Sequence, residues 1–162
     1  MVNRIIVSAF LFVTALFFVA CGDDPTSSTP NGSMTAKVDG DAWGATSLSA
    51  QNVAGSLIIV GSQIDVAGGE TKQINMTVSN AAVGEYQLGG INSATGRTIT
   101  YAEGASVASL KSYSSISGTI KIEEFTSTGA KGTFTTTVEH NQSGQNDGTK
   151  HEITEGKFNV TF

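Results

Sequence analysis

His140 and His151 are the only imidazoles in the chain, and Asp147 lies between them in the polar stretch Asn141 to Lys150. If Val138 pairs with Ile153 so that both face a core, the same register sets His140 opposite His151 at a strand end. Two imidazoles and a carboxylate are ligand types that suit zinc or copper. Glu139 and Glu152 fall on the opposite face in that register and cannot complete the shell. The simpler expectation is therefore two exposed polar residues flanking a loop, with no metal site. Asp39-Gly40-Asp41 lacks the further oxygen ligands and terminal glutamate of a calcium loop and reads as an Asp-Gly turn. Glu123 and Glu124 are neighbours in a strand pattern, so they face opposite sides and cannot work as a glycosidase pair. No G-x-S-x-G, H-E-x-x-H or phosphate loop occurs. The chain is expected to be no enzyme and to hold no cofactor. Trp43 could stack on a ligand, but burial of its large indole in a small core is the stronger expectation.

The residue with the clearest chemistry is Cys21, the one cysteine of the 162 residues. Arg4 precedes an apolar run from Ile5 to Ala20, the order of a secretory leader. The run is short for a membrane span, which needs about 20 apolar residues. It ends in Phe18-Val19-Ala20-Cys21, which resembles a lipobox cut before the cysteine. Residues 1–20 are thus expected to be a lipoprotein signal peptide and Cys21 the lipid-attachment residue. Several acyl chains, at about 0.8 kcal/mol per buried methylene, make such an anchor stable without a protein helix.

Gly22 to Ser33 holds both prolines and is otherwise polar. Together with Cys21 it forms a flexible linker, residues 21–33, that extends to about 40 Å. Arg4 leaves with the leader, so the mature chain is one unit more negative than the −5 of the full sequence. An acidic balance without a basic stripe argues against nucleic acid as a partner. With its cysteine committed to lipid, the domain has no disulfide, and packing alone must stabilise it.

Residues 34–162 carry no proline, as suits strands that need nearly every N–H in a ladder. Apolar residues alternate at Met34, Ala36 and Val38, at Ile74, Met76 and Val78, at Ile99 and Tyr101, at Ile120 and Ile122, at Phe134 and Val138, and at Phe158, Val160 and Phe162. That is the period of half-buried strands. Asp39-Gly40, Gly68-Gly69, Gly89-Gly90, Ser127-Thr128-Gly129 and Asn146-Asp147-Gly148 supply turns between them. Leu57 to Val60, apolar at consecutive positions, reads as a central strand covered on both faces. Ile153 is odd while Phe158 is even, so the last strand must gain one residue, most simply at Glu155-Gly156. The expected fold is all-β: a single antiparallel β-sandwich or flattened barrel of roughly eight to ten strands with little or no helix. A transmembrane barrel also ends on an alternating aromatic strand, but the leader's lipobox and the scarcity of aromatic girdles speak against it.

The phrases Met34 to Trp43, Ser117 to Ile122, Gly132 to Val138 and Glu152 to Val160 together resemble an uncharacterised family of Bacteroidota lipoproteins. The resemblance implies architecture and location only: an envelope protein of the outer membrane, with Cys21-Gly22-Asp23-Asp24 resembling the acidic signal that sends such proteins to the cell surface. The expected role is non-catalytic, presenting a surface to a glycan, a peptide or another envelope protein while acyl chains on Cys21 hold the membrane. The rival expectation is a lipocalin-like carrier of a small hydrophobic ligand, in a cavity lined by Tyr86, Tyr101 and Phe134.

Overall fold

The computed structural model describes residues 32–64, 69–89, 96–105, 109–141 and 147–162. The leader, Cys21 and nearly all of the linker lie outside the described residues, as do Gly68, Gly90 and Asn146 of three expected turns. Among the described residues there are ten strands and no α-helix. They are β1 (Gly32–Val38), β2 (Asp41–Gly44), β3 (Ser47–Val53), β4 (Ser56–Ile64) and β5 (Thr71–Val78), followed by β6 (Gly84–Leu88), β7 (Arg97–Gly104), β8 (Lys111–Phe125), β9 (Gly129–His140) and β10 (Lys150–Thr161). All pair antiparallel in one sheet, in the order β2-β1-β10-β9-β8-β7-β5-β4-β3, which curls into a half-barrel.

Curling follows from the alternation. Each strand turns one apolar face inward, and only by bending round can a single sheet cover that face. Met34, Ile59, Ile74, Tyr101, Phe134 and Phe158 are among the fully buried side chains. β8 serves two neighbours along one edge: its start pairs with β7 and its later half with β6. A bulge between Ser115 and Ser117, next to Gly118 at φ 135°, bends the strand between the two partners.

Trp43 closes the interior. From the short β2 its indole reaches β4, where a Cβ on Gly61 would lie 2.8 Å from the indole Cη2. Its Nε1 donates to the Lys72 carbonyl at 3.4 Å. The indole is core and not a stacking platform, as its size suggested.

The parity change in the last strand is present. Pairing of β10 with β9 shifts between Ile153 and Gly156, and Glu155 takes a positive φ of 52°. The extra residue thus falls at Thr154-Glu155 against β9 and at the expected Glu155-Gly156 against β1, and Gly156, Phe158 and Val160 return to the inward face. Two expectations need correction. Val138 pairs with His151, and Ile153 with Thr136, so the hairpin is shifted by two residues from Val138–Ile153. The cause is the turn: Asp147 Oδ1 accepts the Thr149 N–H at 2.9 Å and the His140 N–H donates to the Thr149 carbonyl, closing the ladder early. A shift of two leaves every side chain on its expected face. The second correction concerns Leu57 to Val60. β4 is central, between β3 and β5, but Ile58 and Val60 stand half-buried on the outer face beside Gln51, Ser49, Thr77 and Asn75. No second layer of described residues covers them.

Candidate functional site

One end of the concave face is polar. Cross-strand pairing lines up Gln63, Lys72, Glu103 and Lys111 across β4, β5, β7 and β8. The row directly beneath runs Gly61, Ile74, Tyr101, Tyr113, His140. Strand alternation therefore sets a charged rim above an aromatic floor. The Asp39-Gly40 turn, both residues at positive φ, brings Asp39 to the same rim from the far side, where it meets His151 of β10.

Glu103 organises the cluster. Tyr101 Oη donates to Glu103 Oε2 at 2.7 Å, and Tyr113 Oη donates to Oε1 at 3.4 Å. Burial, then the hydrogen bond to Glu103, pushes the Tyr101 phenol far above its ordinary value. Burial and the Glu103 charge raise Tyr113 as well, so both phenols remain donors. His151 Nδ1 lies 2.6 Å from Asp39 Oδ2, and the Glu152 N–H donates to Asp39 Oδ1 at 2.8 Å. His151 Nε2 faces Glu103 Oε1 at 3.4 Å without hydrogen-bond alignment. Its ring meets Tyr113 edge-on at 4.5 Å and Tyr101 at 5.2 Å.

The two histidines do not form the expected neighbouring pair. Tyr113 packs against both, its centroid 5.3 Å from His140 and 4.5 Å from His151. Nor are they exposed: His140 is 8% exposed, and the His151 side chain 15%. Among the described residues no three His, Cys, Asp or Glu side chains come together to hold a metal. Asp147 Oδ2 approaches His140 Nδ1 to 2.9 Å but out of line, leaving both ring nitrogens without a hydrogen bond. The Thr149 backbone N–H and hydroxyl, helped by His140, hold the Asp147 carboxyl below its usual range.

Chemically the arrangement clamps. A general base needs a free nitrogen directed at a nucleophile or substrate proton, whereas both His151 nitrogens face carboxylates. Glu123 and Glu124 lie on the distant half of β8, and Glu124 pairs with Lys131 across to β9. Beside the clamp the rim opens into two adjoining depressions, about 410 Å³ lined by Ala42, Thr46, Gln63, Ile64, Glu70 and Lys72, and about 330 Å³ reaching Glu103 and Lys111. Glu70 and Lys72 line both and are ion-paired at 3.8 Å. Sequence reasoning missed Glu103, Lys72 and Tyr113. The inward parity of Tyr101 and Glu103 was the available signal, but their meeting with His151 depends on pairing between strands far apart in sequence.

Asp39 yields a prediction. Burial opposes ionisation, but the His151 hydrogen bond, the Glu152 N–H and the charges of His151 and Lys72 outweigh it and hold the carboxyl below its ordinary 3.8. The unfolded chain therefore takes up this proton first as pH falls. The contribution is whole above about 3.8 and is lost as pH falls through the lower folded value. Asp39→Asn keeps an acceptor for Glu152 and loses the charge. It should cost no more than about 1 kcal/mol at pH 7, the scale of a half-exposed pair, and the difference from wild type should shrink in urea melts as pH falls below 3.8. A difference unchanged with pH would detach Asp39 from the clamp.

A curled all-antiparallel domain with a plugged core and a hydrogen-bonded polar mouth is the class that this fold and site define. The chain belongs to the family described as Domain of unknown function (DUF6252), whose sequence model matches residues 30–160. No curated protein and no solved structure matches it.

Proposed function

We propose that this chain is a non-catalytic envelope lipoprotein of the Bacteroidota type, anchored at the outer membrane through acyl chains on Cys21 and directed to the cell surface. Its β-domain, at the end of the linker, presents the polar mouth as a recognition surface for a glycan, a peptide or another envelope protein. The observation that carries recognition is the mouth: a rim of Lys72, Glu103 and Lys111, its Glu103 held from below by Tyr101 and Tyr113, opening into two adjoining depressions. Rigid, pre-positioned polar groups beside a concavity are what a specific site needs, because little ordering cost then opposes binding. The lipid anchor rests on Cys21 and its leader in the sequence.

The carrier reading draws no such support. Tyr86 is 8% exposed, Tyr101 0% and Phe134 2%, and all three belong to the packed core cluster. Arrays of envelope glycans and peptides, probed with the purified protein, test the mouth. Lys72→Glu and Lys111→Glu should each weaken binding about tenfold, the effect of turning one attractive charge repulsive, measured at a temperature where urea melts show both variants folded. Binding indifferent to both would move recognition elsewhere. Protease shaving of intact cells tests exposure: the domain should be lost from wild-type cells without lysis, and its survival would place it in the periplasm.

A further inference from the structure

The sheet's two terminal strands are protected very differently. β2 is four residues long and begins with Asp41. β3 is seven residues, Ser-Leu-Ser-Ala-Gln-Asn-Val, with no charge, no proline and no bulge against β4. Among the described residues β4 is its only ladder partner, and no described strand pairs with the N–H and C=O groups of its other edge. Such edges are normally guarded by charges, proline, bulges or brevity, because they accept another strand.

The adjoining outer face is also free of charge. On β3, β4 and β5 the outward positions include Ser49, Gln51, Ile58, Val60, Asn75 and Thr77. The charges on β5 and β7, namely Lys72, Arg97 and Glu103, fall at inward-parity positions. By contrast, Lys37, Lys131, Glu139, Glu152 and Lys157 stand outward on β1, β9 and β10. Val53 and Ile64, at the ends of the β3–β4 hairpin, are half exposed. The chain carries a net charge of −5, and interface cores are depleted of charge. At this edge two copies meet without opposing like charges.

We propose that β3 is a self-association edge on which a second copy of this chain lays its own β3 antiparallel, joining the two sheets across a two-fold axis. In the register centred on Ala50, Ser49 lies opposite the partner's Gln51, so side chains as well as backbone hydrogen-bond across the seam. The contact is isologous and uses up the β3 edge of each copy; the edges of β2 and β6 among the described residues are short and carry Asp41 and Glu85, so assembly stops at the dimer.

A photo-crosslinking amino acid placed at Gln51 of the full chain, with two differently tagged copies co-expressed in cells, tests this. The expected adduct has twice the chain mass and carries both tags. It should fall about tenfold in Ser49→Lys, which sets like charges together near the axis. The same probe at Thr135, on the outer face of β9, should give no such adduct. An adduct with a single tag, whether to another protein or to the chain's own N-terminal segment, overturns the proposal, as does no adduct. Sedimentation equilibrium of the purified full chain in density-matched detergent gives an independent reading: wild type should double in mass with concentration while Ser49→Lys remains single. A wild type that stays single overturns the proposal.

Discussion

Trp43→Ala will cost the domain about 3–5 kcal/mol, a large part of the 5–15 kcal/mol that typically separates folded from unfolded chains. The loss has three parts. The indole is buried from solvent, so its transfer energy disappears. It stands against Gly61 of β4, where the Met34 and Ala45 side chains also converge, so truncation leaves a cavity that the sheet backbone cannot easily fill. It also spans from β2 to the Lys72 carbonyl, and β2 pairs only with β1 among the described residues. Without the indole, little fastens that edge to β4 and β5. Urea melts measure the cost, and Trp43→Phe should lose less than half as much. A loss below about 1 kcal/mol, typical of surface changes, would mean that the indole is not the plug.

The second large effect lies where β9 and β10 cross the core. Phe158 pairs with Gly132, and Phe134 with Gly156, so each phenylalanine lies over a glycine on the opposite strand. A Cβ at Gly156 would come within 2.6 Å of Phe134 Cδ2 and 2.4 Å of the Phe134 carbonyl; one at Gly132 would meet Phe158 Cζ at 2.7 Å and the Lys121 carbonyl at 2.1 Å. Aromatic rings over sheet glycines stabilise a tight bend, and here the bend sits beside the bulge at Glu155. Gly156→Ala should therefore cost about 2–3 kcal/mol, the range of overpacked cores. Combined with Phe134→Leu it should cost about 1 kcal/mol less than the two changes added, because the smaller side chain yields space. Strict additivity would assign the whole cost to the backbone contact.

These positions show what sequence alone conveys. Buried faces were legible because alternation is local: Met34 to Val38 and Phe134 to Val138 needed no knowledge of partners. The bulge was legible because Ile153 and Phe158 cannot share a face without it. The Val138–Ile153 pairing was misjudged because Asp147 and Thr149 close the loop two residues early, a hydrogen-bonding choice that the apolar pattern does not encode. The β3–β4 turn was missed because Ala54, at φ 50°, is not a residue that favours a left-handed conformation. The mouth was least legible. Tyr101, Tyr113, His151 and Asp39 converge only when β1, β7, β8 and β10 are placed, and the two histidines, expected opposite each other and exposed, are instead shielded, with Tyr113 packed against both.

The proposed anchoring of the domain through Cys21 is tested most directly by the N-terminal peptide of the protein extracted from membranes. Mass spectrometry should find a peptide beginning at Cys21 and carrying a diacylglyceryl group, lost in Cys21→Ala. A mature N-terminus elsewhere, or an unmodified Cys21, would contradict it.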